Sequence, residues 1–219
     1  MAWLIWLGGI VGGAYLLGSF PTGYLAGRLL KGLDIRDHGS GSTGATNVLR
    51  VLGKGPGLVV LLVDILKGAT AVLLTQWLGS LATMPLPSLG MSERTWLAWL
   101  MVAAGLGVLL GHSRSIFLGF SGGKSVASGL GVLLSLHWPT ALTVLTLFAV
   151  VLVASRIVSL GSVTAAIAAP VVAILYGCPL PLVLFLTVAG LYIVFTHRNN
   201  IQRILQGTEF KLGQGSKAT

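Results

Sequence analysis

Long apolar segments dominate this chain and restrict it to folds that can sit in a lipid bilayer. Only 9% of the 219 residues are charged, whereas soluble domains average about 25%. A helix needs about 20 apolar residues to span the hydrocarbon core, and seven segments are candidates. We therefore predict an all-α, polytopic integral membrane protein with seven transmembrane helices. The candidate segments are residues 3–27, 56–79, 95–111, 125–137, 139–155, 161–177 and 180–196.

The lysines and arginines lie almost entirely on one side of this predicted topology. Twelve of the 14 fall in segments 28–54 and 112–124, at Arg156, and in the tail that follows the last span, whereas Arg94 is on the other side. Basic loops are retained in the cytoplasm when a protein inserts. The bias therefore predicts an N-terminus outside, a C-terminus inside, and one transmembrane domain over residues 1–219.

The charge balance limits the classes of partner. A net charge of +9 with only five acidic residues favours an anionic lipid or an anionic substrate. Nucleic acid is disfavoured because the sequence has no basic tract. No group of histidine, cysteine and carboxylate residues has metal-ligand spacing, so we expect no metal site. Cys178 is the single cysteine and cannot form an internal disulfide.

Three polar islands, residues 39–50, 111–129 and 196–210, interrupt the apolar sequence. They are rich in glycines, hydroxyl groups and fixed cations, which are the groups that bind phosphate in proteins. All three lie on the predicted cytoplasmic side, which favours a single site there. Each also has a purely structural interpretation: a flexible loop with an ordinary helix N-cap, a membrane-anchoring lysine, and a frayed helix end, respectively.

The first two islands suggest anion binding by different means. In the first, small polar residues precede a predicted short helix over residues 45–52, ended by Gly53, and a helix N-terminus attracts anions. The second is similar to a nucleotide P-loop, but Gly119 and Gly123 enclose three residues where four are required. We therefore reject a nucleotide site. Lys124, which follows two glycines that free the backbone, remains a candidate phosphate-binding group.

Ionisable residues elsewhere give weaker signals. His197 and Asn200 of the third island are three residues apart, so they share a face if the last helix persists. Asp64 and Lys67 have the same spacing inside the second predicted span. There they either neutralise each other or serve a function, since ionisable residues within membrane spans are often functional.

The polar islands and the first span carry four motifs. They are Gly18-Ser-Phe-Pro-Thr-Gly, Gly39-Ser-Gly-x-x-Gly-Ala-Thr-Asn47-Val-x-Arg50, Gly111-His112 with Phe117-Leu-x-Phe-x-Gly-Gly-Lys124-x-Val-Ala, and His197-x-x-Asn200-Ile-x-Arg with Gly207-x-Glu209. In this order they resemble the motifs of the bacterial acyl-phosphate-dependent glycerol-3-phosphate acyltransferases, the PlsY family. The resemblance covers nearly the whole chain. It departs from the family at Ser42 and Thr43, where an Asn-Pro pair is common.

The resemblance implies an enzyme that moves a fatty acyl group from acyl phosphate to the 1-hydroxyl of glycerol 3-phosphate, giving lysophosphatidic acid and phosphate. It implies no cofactor, a site facing the cytoplasm, and residence in the bacterial cytoplasmic (inner) membrane. Its partners would be the two substrates and the bilayer, and we expect a monomer. By motif position, the catalytic residues would be Arg50, Lys124, His197 and Asn200. The substrate-binding residues would be Ser40, Ser42, Thr46, Asn47, Gly122, Gly123, Ser159 and Glu209.

Two alternatives stay open at the level of sequence. The acceptor of the hydroxyl proton is either His197 or a phosphate oxygen of the substrate, and we favour the phosphate because no His–carboxylate pair is evident in the sequence. The alternative function is a membrane transporter of a phosphorylated small solute. A transporter would be expected to carry polar groups on both sides and an internal repeat, and the sequence shows neither.

Overall fold

Helices make up the regular structure of the residues that the computed structural model describes, 2–81 and 90–213. An isolated bridge between Ser115 and Ser121 is the one extended pairing in these ranges. The prediction of an all-α protein is confirmed for them. The α-helices are α1 (Ala2–Ser19), α2 (Thr22–Lys31), α3 (Ala45–Leu52), α4 (Lys54–Leu81), α5 (Glu93–Ser113), α6 (Val126–Ser155), α7 (Val158–Leu175), α8 (Leu180–Thr196) and α9 (Arg198–Leu205). The short 3-10 helices are Ile35–Asp37 and Ile116–Leu118.

Five helical segments of the described residues are long and apolar enough to cross a membrane. They are α1 taken with α2, α4, α5, α6 and α7. The pair α8 and α9, bent by 60° at its junction, is a sixth candidate. These segments are those of a multi-pass membrane protein. The count of seven and the orientation stay predictions, since α6 contains two predicted spans separated only by non-helical backbone at His137 (φ −159°, ψ 88°).

The chain forms two compact units, Met1–Leu136 and His137–Thr219, so one domain over residues 1–219 stays a prediction. In the first unit, glycines let helices approach closely: a Cβ at Gly18 would lie 2.8 Å from the Val108 Cα. In the second unit, a Cβ at Gly190 would lie 2.6 Å from the Ala166 carbonyl oxygen. Small residues at such contacts are typical of membrane helix packing.

The first predicted span, residues 3–27, is not one continuous helix. It breaks between Ser19 and Thr22, at Phe20 and Pro21. Proline has no N–H for the helical ladder, and its ring clashes with the preceding turn. The break makes the Phe20 carbonyl available to a side chain from another helix, and it accepts a hydrogen bond from Lys67 Nζ at 3.3 Å.

The short helix predicted over residues 45–52 is confirmed as α3, with Gly53 following it. Its N-cap is Gly44, which has no side chain, so α3 lacks the side-chain hydrogen bond of an ordinary N-cap. Val48 is fully buried in a cluster with Ile35 and Val60, so the apolar face of α3 packs against protein.

Candidate active site

The loop of the first polar island is organised around Asn47, which is 1% exposed. Its Nδ2 donates to the carbonyls of Ile35, His38 and Ser42 at 3.1, 3.0 and 2.9 Å. Its Oδ1 accepts the Ser40 N–H at 2.8 Å. Because these bonds occupy the amide, they indicate that Asn47 positions the loop, and direct contact with a substrate stays a prediction.

The other predicted residues of this island are accessible enough to meet a ligand. Ser40, Ser42, Thr46 and Arg50 are all half-buried. The turn before them requires glycine, because Gly39 has φ +61° and a Cβ there would lie 3.3 Å from Asn47 Cγ. The fold therefore holds two serine hydroxyls, a threonine hydroxyl and a guanidinium group along one loop and the helix that follows it.

The glycines of the second island serve close packing against the end of α5. The Gly123 N–H donates to the His112 carbonyl at 3.0 Å, so this amide is already paired within the protein. A Cβ at Gly122 would lie 2.9 Å from the Ser113 carbonyl carbon, and one at Gly123 would collide with the His112 ring. The interpretation that both glycines free backbone amides for phosphate is therefore wrong for Gly123. Lys124 follows this loop and is half-buried.

Arg36 joins the segment just before the first island to the second island, which the sequence did not reveal. Its Nη1 donates to Ser121 Oγ at 3.0 Å and to the Leu118 carbonyl at 3.3 Å. Its Nη2 lies 2.7 Å from Asp34 Oδ2. Hydrogen bonds from the Arg36 side chain lower the pKa of Asp34 to about 2, although partial burial opposes this shift. The same pairing raises the pKa of Arg36, so both groups stay charged near neutral pH.

A buried polar cluster lies beside these loops in the same unit. Lys67 Nζ is 2.7 Å from Asp64 Oδ1, so the two side chains form an ion pair. Thr22 Oγ1 donates to the same oxygen at 3.3 Å, and His112 Nδ1 lies 3.5 Å from it. The part played by His112 was not predicted, and its pairing with Asp64 corrects the expectation that the chain has no His–carboxylate pair. A small polar pocket here is lined by Thr22, Thr43, Asp64, Lys67, His112 and Ser115, among others.

In the second unit, Glu209 connects three side chains through its buried carboxylate. Oε1 accepts from Ser159 Oγ at 2.7 Å and from Asn200 Nδ2 at 2.6 Å. Oε2 accepts from Arg203 Nε at 2.6 Å. Burial opposes ionisation of Glu209, but hydrogen bonds from Asn200, Ser159 and Arg203 outweigh it and lower its pKa. The carboxylate thus fixes two predicted site residues and indicates a positioning role for Glu209 itself.

His197 lies at the junction between α8 and α9 and is buried. Its Nδ1 is 2.8 Å from the Ile193 carbonyl, which can only accept a hydrogen bond. Nδ1 therefore donates this hydrogen bond. Asn200 follows in the first turn of α9. The two residues were expected to share the face of one persistent helix, but the backbone bends by 60° between α8 and α9.

Comparison with known proteins supplies the context for these motifs. A family model described as glycerol-3-phosphate acyltransferase matches residues 9–207. The chain belongs to the glycerol-3-phosphate acyltransferase family. Among its relatives, the glycerol-3-phosphate acyltransferase of Trichormus variabilis is 54% identical over 213 residues, covering 97% of this chain and 94% of the relative.

Solved structures show the same relationship to the glycerol-3-phosphate acyltransferase family. The glycerol 3-phosphate form of PlsY, an integral membrane glycerol 3-phosphate acyltransferase, is 35% identical, with a TM-score of 0.82. That alignment covers 97% of this chain and 96% of that one. The lysophosphatidic acid form of PlsY is 34% identical with a TM-score of 0.80, at the same coverage. The resemblance read from the motifs is thereby confirmed at the level of family.

The predicted residues of this acyltransferase fall into two groups. In the first unit, Arg36 joins the segment just before the first island to the second island. In the second unit, it brings Ser159, Asn200 and Glu209 together through hydrogen bonds. The sequence missed Arg36, His112 and Arg203 as members of these networks. Of these three residues, only His112 and Arg203 lie within the sequence motifs, which could have marked them as members of the site.

Proposed function

We propose that this chain transfers a fatty acyl group from acyl phosphate to the 1-hydroxyl of glycerol 3-phosphate. The hydroxyl oxygen attacks the acyl carbon, the bond from that carbon to the phosphate oxygen breaks, and lysophosphatidic acid and phosphate leave. The observation that carries the proposal is end-to-end similarity to PlsY structures in glycerol 3-phosphate and lysophosphatidic acid forms, an acceptor and its acylated product. The acyl phosphate donor rests on the motif resemblance.

Two phosphate groups must approach each other in this reaction, and their repulsion has to be offset. Arg50 and Lys124 are the proposed cations, because fixed guanidinium and ammonium groups form strong charge-assisted hydrogen bonds to phosphate. An acyl phosphate is already activated, so the protein need not supply a covalent nucleophile. Holding the hydroxyl near the acyl carbon contributes up to about 7–11 kcal/mol in favourable cases.

The hydroxyl proton passes, in our proposal, to a phosphate oxygen of the substrate. The contact of His197 Nδ1 with the Ile193 carbonyl holds the ring in place, and the motif resemblance assigns this residue to the substrate. Its role is then binding and orientation of the acceptor, together with Asn200. In a His197→Gln variant we expect a higher KM for glycerol 3-phosphate and a retained pH dependence of kcat. Abolished kcat with intact substrate binding would instead make His197 the base.

Purified protein in detergent should form lysophosphatidic acid and phosphate from palmitoyl phosphate and glycerol 3-phosphate, without metal or coenzyme A. The matched control replaces palmitoyl phosphate by palmitoyl coenzyme A at equal concentration. Transfer from the thioester alone would refute the proposed donor. Uptake of labelled glycerol 3-phosphate into sealed vesicles without a lipid product would favour the transporter instead.

The proposed topology has seven spans, an outer N-terminus and an inner C-terminus in the bacterial cytoplasmic membrane. The distribution of basic residues supports it, since twelve of the 14 lie on one predicted side. It places the three polar islands at the cytoplasmic face, where a soluble substrate such as glycerol 3-phosphate is available. A monomer is the proposed assembly.

A further inference from the structure

The imidazole ring of His112 has a nitrogen on each of two edges, and only the Nδ1 edge pairs with Asp64. Nδ1 lies 3.5 Å from Asp64 Oδ1. The opposite edge of the ring faces Gly123: a Cβ built there would collide with Nε2 and lie 2.9 Å from both Cδ2 and Cε1. The imidazole is therefore wedged between a buried carboxylate and the loop that leads directly into Lys124.

His112 holds the same glycine through its backbone as well. Its carbonyl accepts the Gly123 N–H at 3.0 Å, and its ring is buried. Gly123 is thus fixed from two directions by one residue. Because Lys124 is the next residue along the chain, a shift of Gly123 moves the ammonium group too.

Asp64 is itself fixed, which makes it a firm support for the ring. Its Oδ1 accepts from Lys67 at 2.7 Å and from Thr22 at 3.3 Å, and the residue is 2% exposed. Burying these ionisable groups within membrane-spanning helices is costly, and such groups tend to be retained where they serve a function. Support of the loop through His112 is a function that this geometry can perform.

We propose that Asp64 and His112 are positioning residues, which set the place of Gly123 and Lys124 and so determine the KM for glycerol 3-phosphate. Neither touches the substrate in this proposal. It rests on the proposed function, in which Lys124 holds a phosphate group.

The two neighbouring glycines provide a sharp test, because different atoms block a side chain at each. At Gly123 the three nearest obstacles all belong to the His112 ring, whereas at Gly122 they are backbone atoms of His112 and Ser113. We expect Gly123→Ala to raise the KM for glycerol 3-phosphate by about 5- to 150-fold, as overpacking of a tight site predicts. A double variant then adds His112→Asn, which keeps a donor near the Nδ1 position but removes Nε2 and Cε1. Its KM for glycerol 3-phosphate should be at least about fivefold lower than that of Gly123→Ala alone.

Gly122→Ala is the matched control. It should also impair the enzyme, but adding His112→Asn should give no recovery, since the backbone atoms in the way remain. The proposal would be overturned if the effects of Gly123→Ala and His112→Asn on KM were strictly additive. It would also be overturned if His112→Asn lowered the KM of Gly122→Ala and of Gly123→Ala equally. The same double-mutant comparison can be repeated with His112→Ala in place of His112→Asn.

A variant outside the loop gives an independent readout. Asp64→Asn weakens the support for the ring while preserving its shape, so we expect the KM for glycerol 3-phosphate to rise about tenfold with kcat within about twofold. A lower kcat at unchanged KM would count against positioning. Thermal unfolding of each variant identifies those that fail to fold. A wild-type protein that transfers nothing from palmitoyl phosphate would refute the proposed function itself, and the positioning proposal with it.

Discussion

Replacing Glu209 by glutamine tests whether this carboxylate stabilises the second unit through its three donors. An amide has a single oxygen, so its NH2 group must face either Arg203 or the pair formed by Ser159 and Asn200. Either orientation sets a donor against a donor in a buried place. Because the Ser159 hydroxyl can accept as well as donate, each orientation loses one hydrogen bond, either from Arg203 or from Asn200, and both remove the negative charge that attracts Arg203.

The expected loss follows from the geometry of the Arg203 contact. A hydrogen bond between charged groups contributes about 1.5–3 kcal/mol. The Arg203 side chain is 32% exposed, so solvent screening places the loss near the lower end, at about 1.5–2 kcal/mol. For a protein of this length, each kcal/mol shifts the melting temperature by about 2–4 °C. The variant should therefore melt about 3–8 °C below the wild type.

The chain contains its own control, because the other glutamate, Glu93, is exposed. The same chemical change, Glu93→Gln, should alter the melting temperature by about 1 °C or less. Thermal unfolding of the three detergent-solubilised proteins, followed by tryptophan fluorescence, makes the comparison. A Glu209→Gln protein that melts together with Glu93→Gln would refute the reasoning.

Acid should remove the difference between the wild type and Glu209→Gln. The folded-state pKa of Glu209 is lowered, so ionisation stabilises the fold at pH values above the unfolded pKa of about 4.3. This contribution is lost as the pH falls through the folded pKa, where the carboxylate becomes protonated in both states. The gap between the two melting curves should therefore narrow steadily below about pH 4. A constant gap would show that the effect is not electrostatic.

Three further outcomes test other parts of the molecule. Lys124→Ala removes a proposed phosphate-binding cation and should lower kcat/KM for glycerol 3-phosphate at least about 100-fold; a near-normal value would contradict this role. Asn47→Asp replaces an amide that donates to three carbonyls by an acceptor, so unfolding measured in the same way should occur at least about 5 °C lower; an unchanged curve would contradict the loop-positioning role. A membrane-impermeant maleimide should label Cys178 in intact cells, whereas Thr208→Cys in a Cys178→Ser background should react only after permeabilisation; the reverse pattern would contradict the proposed orientation.

Local chemistry explains which features could be predicted from the sequence. The helix over residues 45–52 was predictable because glycines bracket it and its apolar residues follow a helical period. The break at Pro21 also had a local signal, but the apolar run around it favoured one continuous span. The hydropathy of a segment indicates that it is buried in lipid or protein. It does not distinguish one continuous helix from two helices separated by a short break.

The networks that support the proposed site could not be predicted, since they join residues far apart in the chain. Arg36 meets Ser121 across 85 positions, and Ser159 meets Glu209 across 50. A single sequence contains no information on which of many polar residues will meet. The spacing of Asp64 and Lys67 was informative only because three residues make a local pair on one helix.

The same residue types serve for contact with substrate and for support of the site, so the sequence alone does not distinguish the two roles. Asn47 and Glu209 were predicted to bind substrate, yet their polar atoms are occupied by protein donors and acceptors. Transition-state stabilisation requires charges that are already in place before the reaction, because reorganising them during it costs free energy. A half-buried cation such as Lys124 can be fixed in this way only if the loop before it is held by groups that substrate does not reach. Buried, fully paired polar residues beside accessible cations are therefore the expected arrangement for phosphoryl recognition within a membrane protein. Mutation of these buried support residues should change the KM for substrate more than it changes kcat.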